Sequence, residues 1–574
     1  MNRLLAILFS VVAVFFGAAA LAQRAAIVPA PPIPPAQEVR ADNGMVVTPE
    51  PRAARIGVDI LKRGGNAVDA AVAVGFALAV TYPSAGNLGG GGFMVIHLAK
   101  DNTNTTIDYR ETAPAAATPT MFLDARGEAD PAKSRDSGLA VGVPGTVAGL
   151  ALAHQKYGSG NFSLAELMAP AIRLARDGVD LHDDTASSLA RAQARLARWP
   201  SSKSIFFNSS GEVMEPGQSL VQADLAATLD AVARGGPRAF YDGPTAARIA
   251  RAVRAAGGIM TADDLKNYRA VERSAVTGTY RGYDIVSMPP PSSGGVHLIE
   301  MLNILEGYDL GKLAREQALH DEIEAMKRAY ADRAVFMGDP GMVKIPVAGL
   351  ISKKYAAALR TGIGGKSTPA TSIRAGKPAD YEGQNTTHFS VIDRDGDAVS
   401  NTYTLNFYFG LGLVAEGTGV LLNNELDDFT AKPGSANAYG LVGFNANLPG
   451  PGKRPLSSMT PTIVLKDGKP FIVTGSPGGS RIITAVLQVI VNAIDFHMPI
   501  ERAVGAPRLH NQWQPDETYV EPGFDPAVLE ALKARGHRLV PTEPHTSANS
   551  IEVTPTDYAG AADPRTRGAT AAGY

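Results

Sequence analysis

At 574 residues the chain exceeds one ordinary domain and can bury a large core. With 45% hydrophobic and 19% charged residues it reads as globular, and a net charge of −2 argues against nucleic acid as a main partner, because a phosphate-binding surface needs a basic excess. Cysteine is absent, which excludes disulfides, thiolate metal sites and a cysteine nucleophile; Ser, Thr, a carboxylate or a metal-bound water remain for hydrolytic chemistry.

The chain opens with a basic Arg3, an apolar run from Leu4, and Ala20-Leu21-Ala22 before Gln23. This is the layout of a cleaved secretory signal over residues 1–22; the alternative is an uncleaved anchor helix. No later apolar run is long enough to span a bilayer. Residues 23–45, with PAPPIPP at Pro29–Pro35, read as an extended tether. An exported, cysteine-free protein fits a bacterial periplasm or exterior.

Ala53–Val80 has helical spacing broken at Gly64-Gly65-Asn66, and Ala67–Val80 is apolar almost all round, as a buried helix is. A glycine-rich turn (GNLGGGG) then enters a strand, Ile107–Arg110 reads as another, and Gly142–Gly145 as a turn before a helix. Helices are expected over Leu164–Asp177, most of Leu220–Leu265, the segment after Gly295 through Leu305, and Ala314–Met337, with a strand at Tyr280–Met288. A polar linker over 366–385 follows. Two hairpins turn at Asp395-Gly396 and Asp467-Gly468, and a helix runs over Ser480–Phe496. No internal repeat is visible. Grouped strands and helices imply a layered α+β or α/β body, two sheets stacked between helices.

Several strings imitate known motifs. GIGGKST has Arg360 where a phosphate-binding loop needs its first glycine. DRDGDA puts Ala398 and Thr404 where a calcium loop needs Gly and Glu, and reads better as a hairpin turn. The Gly89–Gly92 run suits close backbone packing, and PPPSSGG a turn capping a helix. The ten histidines show no metal-ligand spacing.

The stretch NTTHFSVID is different. Thr386 stands where the linker meets a strand. A threonine hydroxyl needs an adjacent base, and a cut between Asn385 and Thr386 would supply one: a free α-amine, with a pKa of about 7.7–8.0. TTH alone is weak evidence. Thr404 and Asn406 on the returning strand can approach Thr386, however. NNELDDF places Glu425 and Asp428 beside a turn, KRPLSSM places Ser457 and Ser458 ahead of the second hairpin, and GSPGGSRI offers free N–H groups at a helix start.

Together with DYRETAP, GNLGGGGF, TYTLN and the terminal ADPR, these motifs make the mature chain resemble the γ-glutamyltranspeptidase family. The resemblance implies an N-terminal-nucleophile αββα sandwich, self-cleaved into a large subunit, 23–385, and a small catalytic subunit, 386–574, that remain together as a heterodimer. It implies that Thr386 is the nucleophile, that Thr404 hydrogen-bonds its new amine or hydroxyl, and that Gly478 and Gly479 form the oxyanion hole. Arg110, Ser457 and Ser458 would hold the donor α-carboxylate, and Asn406, Glu425 and Asp428 its α-amine. Pro433–Phe444 resembles a lid loop with Tyr439 as its gate. Asn385 and Glu425 stand where some relatives have Gln. The implied donors are glutathione and other γ-glutamyl compounds, the acceptors water, amino acids or peptides. No cofactor, metal, nucleic acid or, after signal removal, membrane is expected. The alternatives are a glutaryl or cephalosporin acylase of the same fold, or an unprocessed, inactive binding homologue.

Overall fold

The structure, a computed structural model, describes residues 33–378 and 389–574. The expected signal, the first part of the tether, and the Asn385–Thr386 bond lie outside the described residues.

Two seven-stranded sheets carry the fold. One runs, edge to edge, through Gln37–Ala41, Tyr558–Ala562, Ser550–Val553, Lys469–Thr474, Thr462–Lys466, Tyr283–Ser287 and Val276–Tyr280. The other runs through Thr570–Gly573, Met45–Thr48, Ser390–Ile392, Ala398–Thr404, Gly91–Leu98, Thr103–Tyr109 and Val271–Ser274. Every pairing within them is antiparallel, which settles α+β over α/β.

Strand alternation explains the layering. Phe93 and Val95 point into the apolar layer between the sheets, where they meet Ile463, Leu465 and Val473 of the facing sheet. Their neighbours Met94 and Ile96 point the other way, onto the buried helix Ala67–Thr81. On the far side, Val464 and Ile472 pack under Gly294–Leu305, Arg315–Phe336 and Ile482–Ile494. The result is helix, sheet, sheet, helix, the αββα sandwich that the resemblance implies.

Local chemistry sets the boundaries. The helix Ala67–Thr81 starts at a capping box between Asn66 and Asp69, after Gly64 turns the chain at φ 89°. The long helical stretch expected over Leu220–Leu265 is instead several helices, among them Ala223–Gly235 and Pro244–Ala255. Gly236 and Gly243 adopt positive φ between those two, and Pro244 starts the second. The single strand expected at Tyr280–Met288 is half of a hairpin, because Arg281 and Gly282 both take positive φ and turn the chain tightly.

Two expectations are corrected. The tether ends early: Gln37–Ala41 pairs with Tyr558–Ala562, and Met45 already belongs to the second sheet. The linker is not free where it is described. Ser367 N donates to Arg535 O at 2.8 Å, Thr368 N to Glu324 Oε1 at 3.0 Å and Gly376 N to Asp332 Oδ1 at 2.7 Å. A polar composition here reflects hydrogen bonding to the body, not solvation alone.

Candidate active site

The site assembles at one end of the sandwich, where Ala398–Thr404 leaves its sheet. Thr404 Oγ accepts from Asn406 N at 2.8 Å, which orients the hydroxyl and leaves its O–H as a donor. Asn406 then adopts φ 76° and donates through Nδ2 to Asn424 O at 3.0 Å. Asparagine tolerates this left-handed backbone better than most residues. The turn thereby ties the strand end to NNELDDF.

Asn423 fixes that segment from below. Its Nδ2 donates to Gly89 O at 2.7 Å and Gly142 O at 2.8 Å, and its Oδ1 accepts from Gly142 N at 2.9 Å. The glycine run packs as the sequence suggests: a Cβ on Gly89 would lie 2.0 Å from Leu421 O, and one on Gly90 2.0 Å from Thr404 O.

Held this way, the short helical turn Glu425–Asp428 presents two acids to Arg110. Arg110 is fully buried; its Nη1 donates to Glu425 and its Nη2 to Asp428 Oδ2 at 2.6 Å. Arg110 Nε and Nη2 also donate to Pro455 O and Leu456 O, at 3.2 and 3.3 Å. The sequence reading placed Arg110 and the acids at opposite poles of the substrate. The structure joins them in one network, because DYRETAP and NNELDDF meet beneath the same strand end.

Burial, reinforced by the Asp428 carboxylate and opposed by Arg110, pushes Glu425 up to about 7. Asp428 is also raised by burial, against the pull of Arg110. Of the three side chains Asp428 is the most accessible, 14% exposed against 2% for Glu425 and none for Arg110. It borders a shallow recess shared with Arg333, Asn437 and Leu441.

Ser457 and Ser458 are buried in the segment that follows Leu456. Ser458 Oγ accepts from Arg333 Nη2 at 2.8 Å, and Arg333 Nε donates to Ser293 Oγ at 2.8 Å. Ser293 Oγ in turn donates to Ser457 O at 2.8 Å. The serines of PPPSSGG therefore brace Ser457 and Ser458; the expected helix cap is not made by the Ser293 side chain.

Gly478 and Gly479 take φ 137° and 58° in the turn that precedes Ile482–Ile494. Among the described residues neither N–H donates a hydrogen bond. Tyr439 closes over this turn: a Cβ on Gly479 would meet its ring at 2.5 Å. The Tyr439 hydroxyl donates to Asn406 O at 2.8 Å, Phe407 packs edge-on against the ring at 5.6 Å, and Asn437 Oδ1 caps Tyr439 N at 3.0 Å. The loop is a small hairpin, with Gly434 N bonded to Gly443 O at 2.8 Å.

Residues 53–573 match the protein family described as gamma-glutamyltranspeptidase. The chain belongs to that family. It is 52% identical over 561 residues to the glutathione hydrolase proenzyme of Escherichia coli, covering 96% of each chain. Among solved structures, the γ-glutamyltranspeptidase of Helicobacter pylori is 45% identical with a TM-score of 0.57, covering 59% of this chain and 98% of that one. A cephalosporin acylase from Bacillus halodurans is 28% identical with a TM-score of 0.82, over 94% and 97%. The fold is the N-terminal-nucleophile sandwich of these relatives.

Two site residues of this family member escape the sequence reading. Glu111 is fully buried 3.9 Å from Arg110, and among the described residues both its carboxylate oxygens lack a hydrogen-bond partner. Burial, with the Glu425 carboxylate beside it and against the pull of Arg110, holds its pKa well above the usual range. Its one sequence signal is adjacency to Arg110. Arg333 sits in a helix whose spacing announces only that it is helical.

Proposed function

We propose that the protein is a glutathione hydrolase and γ-glutamyltransferase that cleaves γ-glutamyl amides through a γ-glutamyl-threonine ester. The likeness over nearly the whole of both chains to a glutathione hydrolase proenzyme carries this reading, and the Thr404, Arg110 and Gly478–Gly479 geometry supports it. Thr386 is the nucleophile. Thr404, at the end of the strand that pairs with Ser390–Ile392, is its partner in this reading.

In maturation the Thr386 hydroxyl attacks the Asn385 carbonyl, the acyl group shifts from nitrogen to oxygen, and water hydrolyses the ester. The new α-amine then takes the hydroxyl proton as Thr386 attacks a donor γ-carbonyl. Gly478 and Gly479 N–H groups hold the oxyanion, and the amine leaves protonated. Water or the amine of an amino acid or peptide next attacks the ester. The donor zwitterion inserts into the ion network: its ammonium joins Asp428, Glu425 and Asn406, and its carboxylate joins Ser457, Ser458 and Arg110. Tyr439 gates this pocket.

The products are 23–385 and 386–574, held together without a disulfide because no cysteine exists. A relative's separate chain spanning about three-fifths of this one fits such a large subunit. A leader over 1–22 exports the chain to the bacterial periplasm; among the described residues no helix is long and apolar enough to cross a membrane. Thr386→Ala should leave one uncut, inactive chain. Two fragments from that variant on a denaturing gel would refute the assignment.

A further inference from the structure

Tyr439 rests on a strained segment. Beyond the strand end at Thr404, four residues take positive φ: Asn406 at 76°, Phe409 at 60°, Gly410 at 55° and Gly412 at 76°. For a bulky phenylalanine that conformation carries a steric cost, which outside contacts must offset. They come from residues before position 386. Phe409 N donates to Ser84 O at 2.9 Å, its ring meets Phe206 edge-on at 5.4 Å, and Ser202 Oγ donates to Gly412 O at 2.6 Å.

Arg195, near the end of the helix Asp183–Leu196, is the clamp that reaches the gate. Its Nη1 donates to Tyr408 O at 3.2 Å and Gly410 O at 3.3 Å, and a Cβ on Gly412 would lie 2.7 Å from its Cγ. Its guanidinium lies over the Phe407 ring, 5.1 Å from the centroid. The same ring meets Tyr439 edge-on at 5.6 Å, with 73° between the planes. Both attractions act through the π system of Phe407, and both need that ring in one place. The Tyr439 hydroxyl donates to the neighbouring Asn406 O at 2.8 Å, so ring and hydroxyl alike depend on where residues 406 and 407 stand. A further tie to the body is Gln512 Nε2, which donates to Tyr439 O at 3.1 Å.

We propose that Arg195 is a positioning residue for the Tyr439 gate: it pins Phe407, and Phe407 holds the tyrosine ring over the Gly478–Gly479 turn. The inference rests on the proposed gating role of Tyr439 and deepens it by naming what sets the tightness of the gate. The latch spans the proposed cut, with Arg195 in the large subunit and Phe407 and Tyr439 in the small one. Closure of the catalytic half is thereby tuned by a residue of the other half. A cation on a half-buried aromatic ring and an edge-on aromatic pair each shift an open–closed equilibrium by about 2–10-fold, enough to bias the gate without locking it.

Chymotrypsin reads the gate without any turnover. Leu441 is buried while the lid is seated, so cutting after it tracks the population of the open form. Nicking of the whole protein as purified is followed by mass spectrometry in wild type, Arg195→Ala, Arg195→Lys, Phe407→Leu and the double variant Arg195→Ala/Phe407→Leu, with Tyr439→Ala as the open limit. Arg195→Ala should be nicked about 2–5-fold faster than wild type, Arg195→Lys less so, and Phe407→Leu about 2–10-fold faster. The double variant should match Phe407→Leu alone, because Arg195 acts through that ring. Unchanged nicking in Arg195→Ala overturns the latch, as do additive effects in the double variant. A matching rise in cuts after Phe407 or Tyr408 in Arg195→Ala overturns it too, since Arg195 would then brace the whole segment. Should Arg195→Ala fail to fold, Arg195→Lys with and without Phe407→Leu decides by the same criteria. If Tyr439→Ala is nicked no faster than wild type, the gate falls and the latch with it. Absence of γ-glutamyl hydrolysis with this nicking pattern intact would refute the proposed function alone.

Discussion

Asp428→Asn isolates the recognition of the donor's α-ammonium. Asp428 spends Oδ2 on Arg110 at 2.6 Å, while among the described residues Oδ1 has only a long contact from Asn437 Nδ2 at 3.4 Å. That oxygen, on the most exposed acid of the network, is the one an ammonium can reach. Asparagine keeps the shape and can still accept from Arg110, which also retains Glu425, so processing and melting temperature should stay near wild type. The lost term is a hydrogen bond between charged groups, about 1.5–3 kcal/mol, or about 10–150-fold in kcat/KM. A glutaryl donor carries the carboxylate but no ammonium, so its rate should hold or rise. The assay compares γ-glutamyl and glutaryl p-nitroanilides in both proteins. Wild type should prefer the γ-glutamyl donor, and the variant should lose most of that preference. An unchanged ratio refutes the placement of the ammonium at Asp428, and equal rates in wild type favour an acylase.

Thr404→Ala removes the hydroxyl fixed by Asn406 N. Processing should slow and turnover fall by about 10²-fold, a cost typical of a misplaced nucleophile, and wild-type turnover would deny the partnership. Tyr439→Ala opens the contact over Gly479 and should admit bulkier acyl donors; an unaltered donor preference would show that the ring is no gate. Glu425 binds its proton more tightly folded than unfolded. Its stabilising contribution is thus full below about pH 4.5 and lost as pH rises through about 7. Glu425→Gln should flatten the melting-temperature profile across that window, and parallel profiles would contradict the shift. Arg110→Ala should impair both anilides and cost about 3–5 kcal/mol of stability, because Glu425 and Asp428 lose their buried cation. A melting temperature equal to wild type would count against that network.

Periodicity made the apolar elements legible. Leu164–Asp177 begins and ends where its spacing predicts, and a Ser163–Glu166 capping box starts it. Motif order exposed the site, since residues as distant as Arg110 and Glu425 are linked only by the fold. Short edge strands such as Gln37–Ala41 were hidden, because five residues, of which only Ala41 is buried, carry too little alternation to distinguish strand from tether. Ion pairing was equally invisible. Nothing in DYRETAP says that Arg110 faces NNELDDF, nor that Glu111 is fully buried beside it. Arg333 was masked by a helix that is buried almost throughout.

The strand Met45–Thr48 is bonded on one side to Thr570–Gly573 and on the other to Ser390–Ile392. A segment from before position 386 is therefore clasped by two from after it. Before the proposed cut, this closure is intramolecular, at an effective concentration of the order of millimolar. Afterwards the same pairing between separated halves would depend on dilution. Folding must precede cleavage, and cleavage makes it hard to repeat: an uncut Thr386→Ala chain should refold after denaturation at micromolar concentration, whereas the matured enzyme should not. The cut thus turns an equilibrium fold into a kinetically trapped one.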